Sequence, residues 1–329
     1  MTMRLRIYCE TLPYDELTRP RTLDLLRTRG LSLVLAVRPW DVDALPRVAR
    51  ALADARVPLS LWPMLHDAEG RWASVANAGT FRRFALRVVD SLAGAPADEV
   101  LFDLEPPFAQ ARALATGLAR DPRKLASVAR TGAAQARRAF AAAEEELAGA
   151  AHALAERGIA TAAAVWPLVA LDPSGDAAWQ RVLGTPVDGI GVARVSVMVY
   201  TSILEGWSRG ALRRKHATAL LAAASRRTAR RWGAASGISV GCVGTGAFED
   251  EPIYRTPAEL ADDVAIARAE ACEDLSLFDL GGVLARPPAE AWLDAFAEAS
   301  ADARVLPSRR VAAARTLARA ATWALARRR

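Results

Sequence analysis

Residues 98–107 read DEVLFDLEPP, an apolar run that carries acidic residues and stops at a pair of prolines. Proline has no N–H to donate to a sheet, so the run predicts a β-strand that ends at Glu105. Side chains two residues apart on a strand point to the same side, so Asp103 and Glu105 share one face. The apolar Phe102 and Leu104 take the other face, which predicts that helices cover it and that both carboxylates point inward.

Similar β-rich runs recur along the chain, separated by segments with helical periodicity such as 43–55, 80–92, 209–232 and 257–271. The eight runs cover residues 5–10, 31–37, 58–64, 99–105, 159–166, 193–200, 238–243 and 275–280. Most are continuously apolar, as parallel strands buried on both faces are. Eight alternations of strand and helix predict an α/β fold, a single (β/α)8 barrel of the TIM type.

A doubly wound open sheet is the alternative fold, and it usually carries a glycine-rich phosphate turn after its first strand. Here the first run is followed by Thr11-Leu12-Pro13-Tyr14, which contains no glycine. We therefore favour the barrel and predict no dinucleotide or other cofactor.

The chain divides into a barrel domain, residues 1–306, and a basic helical extension, residues 307–329. Within the barrel, residues 108–157 are too long for one crossover helix, and Asp121-Pro122 predicts a break into two. The extension carries seven arginines and no acidic residue, so the rest of the chain is close to neutral despite a net charge of +6. A near-neutral barrel argues against a nucleic-acid partner.

The apolar residues of the extension are mostly alanine, which buries little area. This favours a helix packed on the barrel over one that binds a membrane surface. The chain has no uncharged apolar run long enough to span a membrane and no apolar leader after Met1, so we expect a cytoplasmic protein. Cys9, Cys242 and Cys272 lie too far apart to indicate a disulfide framework or a zinc site.

Active sites of such barrels are built at the carboxyl ends of the strands. Asp103 and Glu105 are the candidate catalytic pair. Two adjacent buried carboxylates tend to share a proton, which raises one pKa and supplies a general acid near neutral pH. The structural alternative is an ion pair between these carboxylates and Arg38 or another basic group in the mouth. The candidate substrate-binding residues at the other strand ends are Glu10, Arg38, Trp40, Trp62, His66, Trp166 and Asp279, with the tryptophans as sugar-stacking platforms.

The fourth run resembles the D-x-x-D-x-D-x-E pattern of the chitinase-like glycoside hydrolases of family 18. Asp98, Asp103 and Glu105 match three of its four positions, and Leu101 stands at the remaining aspartate. The resemblance implies that Glu105 is the acid and that Asp103 orients the acetamido group of the substrate.

The sixth run resembles the M-x-Y-D pattern of the same family. Met198 and Tyr200 match it, whereas Thr201 replaces the aspartate. The resemblance therefore adds Tyr200 to the catalytic candidates and implies a carbohydrate substrate. The resemblance covers two strand ends. The third run lacks the S-x-G-G pattern of the family, and the eighth run lacks its tryptophan.

Three alternatives stay open. Many barrel glycosidases place a second carboxylate after strand seven, where this chain has Glu249, Asp250 and Glu251. The second alternative is a carbohydrate-binding barrel without hydrolase activity. The third is a metal-dependent lyase or isomerase. In the last case Glu10, Glu105 and Asp279 would hold Mg²⁺ or Mn²⁺. Histidines with metal-ligand spacing are absent from the sequence, so we predict no metal site.

Overall fold

The structure, a computed structural model, describes residues 3–108, 110–112, 136–173, 176–208, 210–270, 272–303, 305, 308–313, 316, 320 and 322. Eight parallel strands pair in chain order and close into a barrel, with β8 beside β1. The strands are β1 (Arg4–Cys9), β2 (Ser32–Val37), β3 (Leu59–Pro63), β4 (Glu99–Leu104), β5 (Ala160–Val165), β6 (Arg194–Met198), β7 (Ser236–Gly241) and β8 (Asp274–Phe278).

Helices fill the connections between strands. They are α1 (Tyr14–Leu17), α2 (Pro20–Thr28), α3 (Leu45–Asp54), α4 (Ala78–Asp90), α5 (Ala136–Ala155), α6 (Ala178–Leu183), α7 (Thr201–Trp207), α8 (Arg214–Trp232), α9 (Pro257–Ala269), α10 (Leu280–Ala285) and α11 (Ala289–Ala297). The predicted (β/α)8 barrel is confirmed, and each strand begins and ends within two residues of its predicted bounds.

The long connection after β4 contains the predicted second helix, α5, whereas the predicted break at Asp121-Pro122 lies outside the described residues. In the C-terminal extension, residues 309–313 are helical. Val311 is buried, and Thr322 Oγ1 accepts a hydrogen bond of 2.7 Å from Trp179 Nε1. These contacts place the described part of the extension against the barrel. None of the helices in the described ranges has the length and apolarity to cross a membrane.

The strands pack between two apolar layers, one beneath the helices and one inside the barrel, as the alternation of side chains in β4 predicts. Phe102 and Leu104 pack in the outer layer beneath the helices, where the Phe102 ring meets Phe81 edge-on at 5.1 Å. Leu101 points into the barrel and packs in the inner layer with Trp62. Asp103, two residues further along the strand, therefore points inward as well.

An ionic layer fills the barrel interior at the amino ends of the strands. Glu99 is fully buried and binds Arg6 and Arg194, whose Nε donates over 3.0 Å. Arg6 also pairs with Asp274 at 3.1 Å. Burial alone would raise the pKa of Glu99, but the two guanidinium groups outweigh burial and lower that pKa. The charges at this end compensate one another, which is what a buried ion network requires.

Candidate active site

The candidate site lies at the carboxyl ends of the strands, around Asp103 and Glu105, here called the acid pair. Asp103 belongs to β4 and is 2% exposed, while Glu105 follows the last residue of that strand and is partly exposed. The loop after β3 runs alongside, since Ala73 N donates 2.9 Å to the Asp103 carbonyl. This pairing holds the third loop over the barrel mouth.

Each carboxylate of the acid pair is held by a tryptophan from a neighbouring strand end. Trp62 Nε1 donates to Asp103 Oδ2 over 3.2 Å, and Trp166 Nε1 donates to Glu105 Oε2 over 2.5 Å. Hydrogen bonds from N–H groups to a carboxylate stabilise its charged form and fix its orientation. Trp62 and Trp166 therefore orient the acid pair through their indole N–H groups, and their predicted role as stacking platforms for a sugar stays a prediction.

Burial dominates the ionisation of the acid pair. It raises the pKa of Glu105 to about 7, against the opposing hydrogen bonds from Trp166 and from Asp103. Burial, and then the charge of Glu105, raise the pKa of Asp103 well above its ordinary value. The ionisation of each carboxyl group therefore depends on that of the other, and two groups coupled in this way titrate as a pair.

Two further carboxylates face the acid pair. Glu10, just after β1, forms an ion pair of 3.1 Å with Arg71. Burial raises the pKa of Glu10 to about 8, with Arg71 opposing and Asp279 adding to the rise. Asp279, after β8, accepts a hydrogen bond of 3.0 Å from Gly282 N. Burial raises its pKa to about 6, although this backbone donor lowers it.

The loop after β7 closes this side of the mouth because two of its residues are glycines. A Cβ atom at Gly244 would lie 2.7 Å from Asp279 Oδ1. A Cβ atom at Gly246 would lie 2.9 Å from the Phe278 ring and 3.2 Å from Glu10 Oε2. Any larger residue would push the loop away, so these glycines allow the loop to rest on the two carboxylates.

Glu251, at the end of the same loop, turns inward and is 8% exposed. Its Oε1 atom accepts a hydrogen bond of 2.9 Å from Phe248 N, and its Oε2 atom is buried with no hydrogen-bond partner among the described residues. The charge of Glu251 raises the pKa of Glu10, Glu105 and Asp279. We call Glu10, Asp103, Glu105, Glu251 and Asp279 the acid cluster.

Four aromatic rings form a cover over the mouth, here called the aromatic cover. Phe248 stacks on Phe108, with ring centroids 5.4 Å apart and an interplanar angle of 20°. Trp72 contacts both rings, at 5.7 Å from Phe108 and 6.1 Å from Phe248. Trp207 lies 5.9 Å from Phe248. Arg71 sits 4.8 Å over the Phe108 ring, which joins the cover to Glu10.

Tyr200 lies in the inner layer, 5.7 Å from the Phe278 ring. Burial raises the pKa of Tyr200 well above its ordinary value, and the charges of Asp103 and Glu105 add to the rise. Tyr200 packs in the same inner cluster as Trp62, the residue that donates to Asp103. Thr201, which stands at the aspartate position of the family pattern, hydrogen-bonds the fully buried Asp263 of α9.

Three predicted binding residues form a separate group on the rim. Arg38 pairs with Asp67 at 2.9 Å and lies 4.8 Å over the Trp40 ring, which is 63% exposed. The His66 ring is 5.5 Å from Trp40. Arg38 therefore pairs with Asp67 and not with the acid pair, whereas the charge of Arg71, another basic group in the mouth, lowers the pKa of Glu105. Asp67 also accepts from Arg71 over 2.8 Å, which connects the rim to the mouth.

The sequence analysis did not identify Arg71 as a site residue, and it named Glu251 only as one of three alternative carboxylates after strand seven. Both lie in loops rather than at strand ends, and both loops turn back through left-handed backbone: φ is 99° at Gly70, 59° at Arg71 and 65° at Glu249. Only Gly70 gives a sequence signal for such a turn. No group of three His, Cys, Asp or Glu in the described ranges has the arrangement of a metal site.

Comparisons by sequence give no match, either to a family model or to a curated protein. The similar solved structures include the glycoside hydrolase domain of PgaB (BpsB) from Bordetella bronchiseptica, with a TM-score of 0.53 and 14% identity over 92% of this chain and 100% of that chain. The endo-β-mannanase/endo-β-glucanase PbGH26A-GH5A of Prevotella bryantii has a TM-score of 0.55 and 12% identity over 92% of this chain and 49% of that chain.

An HMG-CoA lyase from Brucella melitensis also matches, with a TM-score of 0.42 and 12% identity over 84% of this chain and 80% of that chain. At these identities the likenesses show the fold alone. The two structures with TM-scores above 0.5 agree with the TIM-barrel fold that the closed eight-stranded barrel shows. The resemblance to family 18 rests on the residues of β4 and β6.

Proposed function

We propose that this protein is a carbohydrate-active enzyme, a glycoside hydrolase in which Glu105 is the general acid. The observation that carries the proposal is the acid pair itself. Glu105 stands at the barrel mouth with its pKa raised to about 7 by burial, next to a second carboxyl, Asp103, whose pKa is also raised. A general acid works best when its pKa is close to the pH at which it acts.

The proposed reaction follows from this arrangement. Protonated Glu105 gives its proton to the glycosidic oxygen as the bond from that oxygen to the anomeric carbon breaks. Positive charge develops on the sugar ring, and the remaining carboxylates of the acid cluster stabilise it. Water then adds to the anomeric carbon and loses a proton to the cluster, which restores the acid. Tyr200 lies beside the acid pair and would contact the reacting sugar.

The deciding experiment is Glu105→Gln, which keeps the shape of the side chain and removes its transferable proton. Purified protein is assayed on a panel of labelled glycosides, and Glu145→Gln on the exposed surface of α5 is the matched control. Turnover by Glu105→Gln should fall about 10²–10⁴-fold, with binding nearly retained. Full activity of Glu105→Gln on a substrate that the wild type cleaves would remove the main support for the hydrolase.

The same panel tests the other candidate function. A carbohydrate-binding relative without hydrolase activity would bind oligosaccharides in the same mouth and turn over none of them. The exposed Trp40 ring on the rim supports sugar binding under either function, because aromatic faces are the usual partners of the apolar faces of sugars.

A further inference from the structure

We propose that Asp263, on α9 outside the barrel mouth, is a positioning residue that holds two elements of the candidate active site in place. The first element is α7, which begins directly after Tyr200, and the second is the loop after β7, which carries Phe248 and Glu251. This inference rests on the proposed function, because both elements belong to the same candidate site.

The carboxylate of Asp263 is the point at which the two elements meet. Asp263 is fully buried, and its Oδ2 atom accepts a hydrogen bond from the hydroxyl group of Thr201, the first residue of α7. The same oxygen accepts a hydrogen bond of 2.6 Å from the hydroxyl group of Tyr254, near the end of the loop after β7. Arg214 forms an ion pair of 2.8 Å with Oδ1, which compensates the buried charge. One carboxylate therefore binds a residue of each element.

Backbone contacts extend this attachment to both ends of the loop. Tyr254 N donates to the Cys242 carbonyl over 2.8 Å, which joins the end of the loop to its beginning. Cys242 N donates in turn to Ser202 Oγ over 2.7 Å, and Ser202 follows Thr201 in α7. The start of α7 and both ends of the loop therefore form one connected unit around Asp263, here called the clamp.

The clamp fixes the positions of two rings of the aromatic cover. Trp207 ends α7 and Phe248 lies in the loop that the clamp closes, and their ring centroids are 5.9 Å apart. Phe248 N donates to Glu251 Oε1 over 2.9 Å within the same loop. A Cβ atom at Gly246 would lie 3.2 Å from Glu10 Oε2, so the loop packs closely against the mouth. Because both ends of the loop are held by the clamp, the clamp determines this close packing.

A structural role confined to Arg214 is the competing explanation. Arg214 is the first residue of α8, and an aspartate that only compensated its charge would need no contact with the loops of the site. The hydroxyl groups of Thr201 and Tyr254 separate the two explanations. Both bind the Asp263 carboxylate, and neither carries a charge of the ion pair. Removal of either hydroxyl group therefore leaves both charges in place and breaks one link to the site.

The test is limited proteolysis of the native protein with a protease that cleaves after glutamate. Cleavage at the exposed Glu249 of the loop reports loop opening, and cleavage at the exposed Glu145 inside α5 reports global unfolding. Thr201→Val and Tyr254→Phe should each raise the ratio of cleavage at Glu249 to cleavage at Glu145 by about 10- to 100-fold, because one hydrogen bond to a charged group is lost. Thr201→Ser keeps the hydroxyl group and should keep the ratio of the wild type.

Asp274→Asn is the matched control, because it removes a buried carboxylate that pairs with an arginine at the opposite end of the barrel. It should destabilise the whole barrel without raising the ratio. An unchanged ratio in Thr201→Val or Tyr254→Phe, or an equal rise in Asp274→Asn, would overturn the positioning role of Asp263.

Activity provides the second measurement. On a glycoside that the wild type cleaves, kcat/KM should fall in Thr201→Val and Tyr254→Phe and should be retained in Thr201→Ser. Equal kcat/KM in all three variants would also overturn the positioning role. Failure of any glycoside to be cleaved would count against the hydrolase and not against Asp263, because the proteolysis needs no substrate.

Discussion

The hydrogen bond from Trp166 to Glu105 gives the sharpest quantitative prediction. Trp166→Phe keeps an aromatic ring but removes the N–H that donates 2.5 Å to Glu105 Oε2. That donor stabilises the ionised carboxylate, so its loss should raise the pKa of Glu105 above its present value of about 7. A hydrogen bond to a charged group contributes about 1.5–3 kcal/mol. Since one pKa unit corresponds to about 1.36 kcal/mol, the expected rise is about 1–2 units.

The sign of the effect on activity follows from the role proposed for Glu105. A general acid works only when protonated, so the rate is lost as the pH rises through its pKa. In Trp166→Phe the basic limb of the profile of kcat/KM against pH should therefore move to higher pH by about 1–2 units. The measurement is that profile, from pH 4 to 10, on any glycoside that the wild type cleaves.

Trp40→Phe is the control, because the Trp40 side chain is exposed on the rim and contacts His66 and Arg38. Its basic limb should stay in place. A basic limb in Trp166→Phe that stays where it is, or moves to lower pH, would refute the claim that this indole lowers the pKa of the catalytic acid.

Three further results are expected. Asp103→Asn should lower kcat and remove one of the two coupled ionisations from the pH profile, because asparagine cannot share a proton with Glu105; a profile identical to that of the wild type would contradict the coupling. Arg6→Met should reduce the free energy of unfolding by about 3–5 kcal/mol, measured by urea denaturation, since it leaves Glu99 and Asp274 buried with fewer partners. Deletion of residues 308–329 should lower the melting temperature without changing binding to anionic liposomes, and loss of liposome binding would instead assign the extension to a membrane surface.

The barrel and the inward acid pair are the parts that sequence patterns predict. Residues 98–107 show why: the alternation of Asp103 and Glu105 with Phe102 and Leu104 is a local property of a strand, and the structure places Leu104 in the outer layer as expected. The barrel itself follows from the order of apolar runs, which needs no knowledge of side-chain contacts.

The contacts that tune the acid pair are not local, and sequence patterns do not predict them. Arg71 reaches Glu10 only because its loop reverses at two consecutive left-handed residues. Glu251 lies beyond the end of β7, where an acidic run has the appearance of a solvated turn, and it enters the mouth because glycines allow the loop to approach. The hydrogen bond from the indole N–H of Trp166 to Glu105 could not be predicted either. A tryptophan near a strand end predicts a stacking face, but it does not indicate which carboxylate its N–H group contacts.

The acid cluster also sets how the stability of the whole barrel depends on pH. Burial raises the pKa of Glu10 to about 8, that of Glu105 to about 7 and that of Asp279 to about 6. In the unfolded chain the same groups ionise near pH 4. The folded state therefore binds more protons than the unfolded state between these values, and the free energy of unfolding falls as pH rises through them.

This contribution to stability is present in full below about pH 4 and is lost as pH rises through the folded pKa values, the last of them that of Glu10. The free energy of unfolding of the barrel thus falls over the same pH range in which Glu105 exchanges its proton. A ligand that binds in the mouth and neutralises the cluster would raise the free energy of unfolding again, so ligand binding and folding are thermodynamically linked.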